Sequence, residues 1–282
     1  HNPHDETGKT NIPIWDRTDI ILKIFEKHAR SQVAQLQIRL AWLKHQIPKI
    51  YQYQTKLFDR ERGGISGTRG SGEKGVEIEK RHIREQIKEA EKKLEQFEKV
   101  HDNQRQQRKR AGLKTVALVG YTNAGKSTLL RALTRKKVLI KDELFSTLDT
   151  SIGSLWLADD RHPEGGQKAL IADTIGFIQN LPPHLVESFR ATLSEVREAD
   201  LLLHIIDAAD PHQNKKIQVV EDILSKLVDS TKPVIRVYNK CDAQRLCFLK
   251  QRGNLAVSAL NQESLAALKD EIKHRLKTGV SI

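Results

Sequence analysis

Gly120-Tyr121-Thr122-Asn123-Ala124-Gly125-Lys126-Ser127 fits the pattern G-x-x-x-x-G-K-[ST] at every position. The apolar run Val116–Val119 before it reads as a buried strand. Thr128–Leu133 after it reads as the first turns of a helix. A strand, a glycine-bearing turn and a helix start are the context a phosphate-binding loop needs. Glycine lets successive backbone N–H groups converge on phosphate oxygens, and the helix N-terminus adds partial positive charge. Lys126 is expected to reach the β- and γ-phosphates and Ser127 to ligate Mg²⁺.

A second motif selects the base. Asn239-Lys240-Cys241-Asp242 follows the apolar run Pro233–Tyr238. N-K-x-D at a strand end reads guanine, because the Asp242 carboxylate accepts from ring N1–H and from the exocyclic amine. Adenine lacks that donor pair and would leave a desolvated carboxylate unpaired. Ser258-Ala259-Leu260, after Leu255–Val257, is expected to close the base pocket with backbone groups.

Between these motifs lie the residues expected to sense the γ-phosphate. Asp173-Thr174-Ile175-Gly176 ends the run Ala169–Ala172. Asp173 is expected to hold Mg²⁺ through water, and the Gly176 amide to donate to the γ-phosphate. Upstream, Phe145-Ser146-Thr147-Leu148-Asp149 stands where a loop should supply a second Mg²⁺-ligating hydroxyl. Thr147 is the choice, with Ser146 and Thr150 as alternatives. Lys126, Thr147 and Gly176 form the expected catalytic set. In Ras-like proteins a Gln after this glycine orients the attacking water. Here the position is Phe177, which cannot, so hydrolysis by the isolated chain is expected to be slow.

Composition sets the bounds. A chain of 282 residues is long enough for two domains. It has no run of about 18 apolar residues and no signal-peptide core at His1–Thr10, so no integral membrane segment is expected. Cys241 and Cys247 have neither metal-ligand spacing nor a disulfide framework, which points to a reducing compartment. The net charge is +12, of which residues 1–112 carry +8 and the remainder +4. A basic excess outside the nucleotide domain favours a polyanionic partner.

That first part reads as helical. Thr18 is the expected N-cap of a helix over Asp19–Ile47, with Pro48 after its end. Val33, Leu36, Leu40, Leu43 and Ile47 make one apolar stripe. A second helix over Glu77–Arg105 carries Ile83, Ile87, Ala90, Leu94 and Phe97. Two such helices predict an antiparallel, coiled-coil-like hairpin. Its tip, residues 59–75, holds six glycines interleaved with Arg60, Arg62, Arg69 and Lys74. It reads either as a linker or as a probe of RNA; the latter is favoured, since a hairpin needs only a few linking residues and arginine binds phosphate and stacks on bases. Gln104–Arg110 reads as a basic connector. From there strands are expected at 115–119, 154–158, 168–172, 201–206, 233–238 and 254–257, with a hairpin turn over 159–167 and a last helix near Gln262–Lys277. This is an α/β pattern with a mostly parallel sheet. The domains are 1–112, helical, and 113–282, nucleotide-binding.

The chain resembles the HflX GTPases of the Obg–HflX superfamily. The resemblance is carried by W-D-R-T-D-I-I-L-K-I-F at 15–25, the glycine loop at 63–73, G-Y-T-N-A-G-K-S-T-L at 120–129, L-F-S-T-L-D at 144–149, D-T-I-G-F-I at 173–178 and L-P-P-H-L-V-E-S-F-R-A-T-L at 181–193. It implies a Ras-like P-loop GTPase domain preceded by a helical hairpin. GTP contacts then fall on 120–127, 145–149, 173–176, 239–242 and 258–260, with Mg²⁺ at Ser127 and Thr147. It also implies binding to the large ribosomal subunit, with the tip near the peptidyl-transferase region, and a role in subunit splitting, rescue or recycling. A ribosome-assembly GTPase and a protein-interaction switch are the alternatives. No DNA partner is expected, and a cytoplasmic monomer is. The family loop commonly has Pro where Ser71 stands, and Thr or Ser where Lys74 stands. The stretch before Trp15 is shorter than the family's N-terminal domain.

Overall fold

The computed structural model describes residues 15–61, 71–134, 151–159, 162–179, 185, 188–244 and 254–278. Three helices come first: α1 (Arg17–His28), α2 (Gln32–Glu61) and α3 (Ser71–Arg110). Six strands follow, β1 (Lys114–Gly120), β2 (Ser151–Asp159), β3 (His162–Asp173), β4 (Leu201–Asp207), β5 (Val234–Asn239) and β6 (Asn254–Ala256). They alternate with α4 (Lys126–Thr134), α5 (Arg190–Glu198), α6 (Gln213–Leu227) and α7 (Gln262–Thr278). The sheet order is β2-β3-β1-β4-β5-β6, and every pairing is parallel except β2 with β3. This is the Ras-like P-loop GTPase fold. Among the described residues no helix is long and apolar enough to cross a membrane.

The central strands read as continuous apolar runs because both faces are covered. One face packs Val116, Leu118, Leu203 and Ile205 against Leu129 and Leu133 of α4 and Leu265, Leu268 and Ile272 of α7. The other face packs Ala117, Val119 and Leu202 against α5, α6 and, from the helical region, Ile21, Leu22 and Phe25 of α1 with Ala34, Ile38 and Ala41 of α2. Phe25 is fully buried, its ring centroid 5.1 Å from that of Phe189. Ionic ties reinforce the junction. The buried Glu195 carboxylate of α5 accepts from Arg105 Nε at 3.3 Å and Arg108 Nη2 at 3.0 Å, both on α3. The two segments on either side of residue 112 therefore share one apolar core.

Several sequence boundaries shift. The single helix expected over Asp19–Ile47 is two. α1 ends with its C-cap Ala29 in an extended conformation, and α2 restarts where Ser31 Oγ accepts from the Ala34 N–H at 3.0 Å. The cap of α1 is Asp16, not Thr18: its carboxylate accepts from the Asp19 N–H while the Asp19 carboxylate accepts from the Asp16 N–H, a reciprocal capping box. Pro48 lies inside α2 rather than beyond its end. Proline removes one backbone bond, but the packed turns before it carry the helix on. The helix expected from Glu77 begins at Ser71, and the basic connector up to Arg110 is its last turns. Helix thus flanks a shorter tip, and residues 62–70 fall outside the described set. The long helices meet through Leu40, Ala90 and Leu94, with Val33, Leu36 and Ile87 beside them. Strand replaces part of the turn expected over 159–167, because β3 starts at His162; Pro163 falls where the β2–β3 register shifts, between the pairs Asp159–His162 and Ala158–Gly166.

Candidate nucleotide-binding site

β1, β3, β4 and β5 end at Gly120, Asp173, Asp207 and Asn239, so the motifs gather where parallel strands of an open sheet end. The phosphate loop turns between β1 and α4. Asn123 has φ +61° and Gly125 φ +89°, which curls the loop backbone into a concave nest. A Cβ at Gly125 would sit 2.2 Å from Asn239 Nδ2, so glycine is what admits the later motif against the loop. Asn239 is buried and donates through Nδ2 to the Ala124 carbonyl at 3.0 Å.

Lys126 is buried at the start of α4 and donates to the carbonyls of Gly120 at 3.2 Å and Tyr121 at 3.0 Å. Burial pushes its ammonium pKa down to about 8, against the pull of Asp173. Ser127 Oγ donates to Asp173 Oδ2 at 2.6 Å. Thr174 Oγ1 donates to the Leu118 carbonyl at 2.7 Å, which fixes the start of D-T-I-G on β1. Gly176 stands so close to the loop that a Cβ would meet Thr122 Cγ2 at 2.8 Å and Lys126 Nζ at 3.1 Å. Phe177 turns its ring into the core and is 2% exposed. Its backbone bridges to the loop, with N–H to the Gly120 carbonyl at 3.1 Å and carbonyl accepting from Thr122 N–H at 3.0 Å.

On the base side Lys240, at φ +63°, donates to the Asn123 carbonyl at 2.9 Å and to Asp207 Oδ2 at 2.8 Å. Asp242 is exposed in the short 3-10 turn Cys241–Gln244. The Cys241 N–H donates to the Val257 carbonyl at 3.3 Å, which brings Ser258-Ala259-Leu260 beside N-K-x-D. Ser258 is buried, its Oγ accepting from the Leu260 N–H at 3.2 Å. The structure thus brings 120–127, 173–176, 239–242 and 258–260 together. Phe145–Asp149, including Thr147, and its alternative Thr150 lie outside the described residues.

Sequence reasoning placed Tyr121 in the phosphate loop without its hydroxyl contact, and gave no part to Asp207, Lys216 or His204. Asp207 closes β4 and braces Lys240; its only signal was an acid after Leu201–Ile206, a run apolar but for His204. The Tyr121 hydroxyl accepts from the Gln179 N–H at 3.1 Å, and Lys216 Nζ lies 4.9 Å from the Tyr121 ring centroid while pairing with Asp210. His204 is 2% exposed and borders a recess shared with Tyr121, Asp210, Gln213 and Lys216. Burial, helped by the charges of Arg236 and Lys126, pushes its pKa down to about 4.

Residues 115–240 match a family model described as a 50S ribosome-binding GTPase, and residues 28–108 one described as the GTP-binding GTPase middle region. The chain is 45% identical over 265 residues to the GTPase HflX of Caldanaerobacter subterraneus subsp. tengcongensis, covering 94% of this chain and 60% of that protein. It is 42% identical over 229 residues to the GTPase HflX of Escherichia coli K12, covering 81% and 52%. The chain therefore spans 52–60% of the length of these relatives. Among solved structures, the complex of SsGBP with GDP superposes with a TM-score of 0.53 at 25% identity, covering 93% of this chain and 73% of that one. A GTP-binding protein from Sulfolobus solfataricus in complex with GDP gives 0.50 at 24% identity, covering 93% and 72%, a likeness of fold. With both family models adjoining along it and relatives this similar over most of its length, the chain belongs to the HflX family of GTPases.

Proposed function

We propose that the chain binds GTP, hydrolyses it to GDP and phosphate, and acts on the large ribosomal subunit in splitting, rescue or recycling. The observation that carries the nucleotide reading is the joining of three motifs by direct contacts: Asn239 and Lys240 to the phosphate loop, and Ser127 to Asp173. Lys126 moves from the loop carbonyls to the β- and γ-phosphates, where their charge holds its proton despite burial. The Gly176 amide donates to a γ-phosphate oxygen. Asp242 accepts from guanine, and Ser258–Leu260 flank the base. Water attacks the γ-phosphorus while the bond to the bridging oxygen of GDP breaks. Phe177, committed to the core, takes no part in orienting that water, so turnover is slow until a partner orders the surroundings.

A hydroxyl and a carboxylate converging at Ser127 and Asp173 suit a hard cation, and with Thr147 they would hold Mg²⁺. Bound there, the ion neutralises charge developing on the phosphate oxygens.

Residues 1–112 are the proposed ribosome-reaching arm and 113–282 the GTP-binding unit. The family model matched by 115–240 is described as 50S ribosome-binding, and the basic excess of residues 1–112 suits ribosomal RNA. The Gly/Arg-rich tip within 59–75 is the part assigned to the peptidyl-transferase region. A monomer acting in the cytoplasm, where its partner is, completes the proposal. Sedimentation with a non-hydrolysable GTP analogue tests it. Co-migration with mature large subunits is expected. Capture by immature particles alone would make the chain an assembly factor, and no ribosomal association would leave a protein-interaction switch.

A further inference from the structure

The stretch Trp15-Asp16-Arg17-Thr18-Asp19 has no part in the nucleotide contacts, yet each of its charged residues has a defined partner. Asp16 and Asp19 form the capping box and hold two side chains of α2: Lys49 Nζ donates to Asp19 Oδ2 at 2.5 Å, and His45 Nε2 lies 3.0 Å from Asp16 Oδ2. The start of α1 is thereby fixed to α2. Arg17 turns the other way. Its Nη2 donates to the backbone carbonyl of Gln179 at 2.6 Å, across 162 residues of sequence.

Gln179 stands three residues after Gly176. Its N–H is held by the Tyr121 hydroxyl of the phosphate loop and its carbonyl by Arg17 of α1. Between them Phe177 is pinned by two backbone bonds to the loop. The run from Gly176 to Gln179 is thus tied at one end to the nucleotide loop and at the other to the helical region. With Phe177 in the core, the path of this backbone governs where the Gly176 amide and the space beside it lie.

We infer that Arg17 is a positioning residue for GTP hydrolysis, holding the Gln179 carbonyl and so the path of the chain that carries the Gly176 amide. The inference rests on the GTPase reading above. It gives the helical region a direct hold on the reaction, because a shift of α1 would carry the Gln179 peptide with it. The bond is exposed, so the effect is modest in size.

The test uses the full chain. Steady-state GTP hydrolysis, GDP titration and amide hydrogen exchange over 176–179 are measured for wild type, Arg17→Ala and Arg17→Lys. Lys23→Ala, an exposed change on the same helix, is the control. Arg17→Ala is expected to lower kcat about fivefold, with KM for GTP and Kd for GDP changed less than about twofold, and to speed exchange at Gln179. Arg17→Lys, which keeps a charged donor, is expected to recover most of kcat, and Lys23→Ala to match wild type. Unchanged kcat in Arg17→Ala overturns the inference. So does a loss of kcat matched by an equal loss of GDP affinity, which would make the role merely structural. A wild-type chain that neither binds GDP nor hydrolyses GTP would instead overturn the GTPase reading, and unaltered exchange in Arg17→Ala would then remove the tie as well.

Discussion

Lys240 Nζ donates to Asp207 Oδ2 at 2.8 Å; Asp207 closes β4 and is paired with Asn239, the last residue of β5, which Lys240 follows. The lysine also reaches the Asn123 carbonyl, so one side chain straps the base-reading segment to the phosphate loop. A non-glycine residue at φ +63° is costly by about 1 kcal/mol, and the two bonds hold it there. Asp207→Ala should weaken GDP and GTP alike, by about fivefold after allowing for partial exposure of the pair. Unchanged GDP affinity in a calorimetric titration would show the strap to be dispensable.

Base choice rests on Asp242. Asp242→Asn should exchange guanine for xanthine preference, because xanthine presents a carbonyl where guanine has an amine. Competition between GTP and XTP for the variant measures it. Wild type should bind ATP far more weakly than GTP, and equal binding of the two would defeat the base-reading assignment.

His204 predicts a pH dependence of stability. Its pKa is lowered from 6.5 to about 4 by burial first, then by Arg236 and Lys126. The unfolded chain binds the proton and the folded chain resists it. The contribution is therefore whole above about pH 6.5 and is lost as pH falls toward 4, up to about 3 kcal/mol. Denaturant midpoints across that window should fall less steeply in His204→Gln than in wild type. Parallel slopes would contradict the assignment.

Phe25→Ala tests the shared core. Deleting a fully buried ring that packs on Phe189 should cost about 3–5 kcal/mol. Because the ring joins α1 to the nucleotide-binding sheet, far-UV signal and nucleotide release should shift together on denaturation. Helix loss in a transition of its own, with nucleotide binding unmoved, would mean that the two parts hold separately.

Much of this was legible in the sequence because it is written in short runs. The phosphate loop, D-x-x-G and N-K-x-D each occupy four to eight consecutive residues, and each of the six strands overlaps an apolar run that predicts it, although β2 and β3 extend beyond theirs. What escaped depends on residues far apart. The Tyr121–Gln179 and Arg17–Gln179 bonds span 58 and 162 positions, and no local pattern marks them. The break between α1 and α2 was hidden for another reason. The apolar positions run on past Ala29, and a single hydroxyl at Ser31 restarts the helix. Phe177 was visible as a departure, but only the fold shows that its ring belongs to the core that α1 completes.

That shared core bears on how the molecule can be divided. Phe177, Ile178, Leu185 and Phe189 share one buried cluster with Ile21, Leu22 and Phe25, and the Phe25 ring packs on Phe189. Cutting the chain near residue 112 would bare this apolar face on the C-terminal fragment, beside the glycine assigned to the γ-phosphate. Such a fragment would be prone to self-association, and its nucleotide turnover would describe a damaged switch, so rates taken from it would not stand for the intact protein.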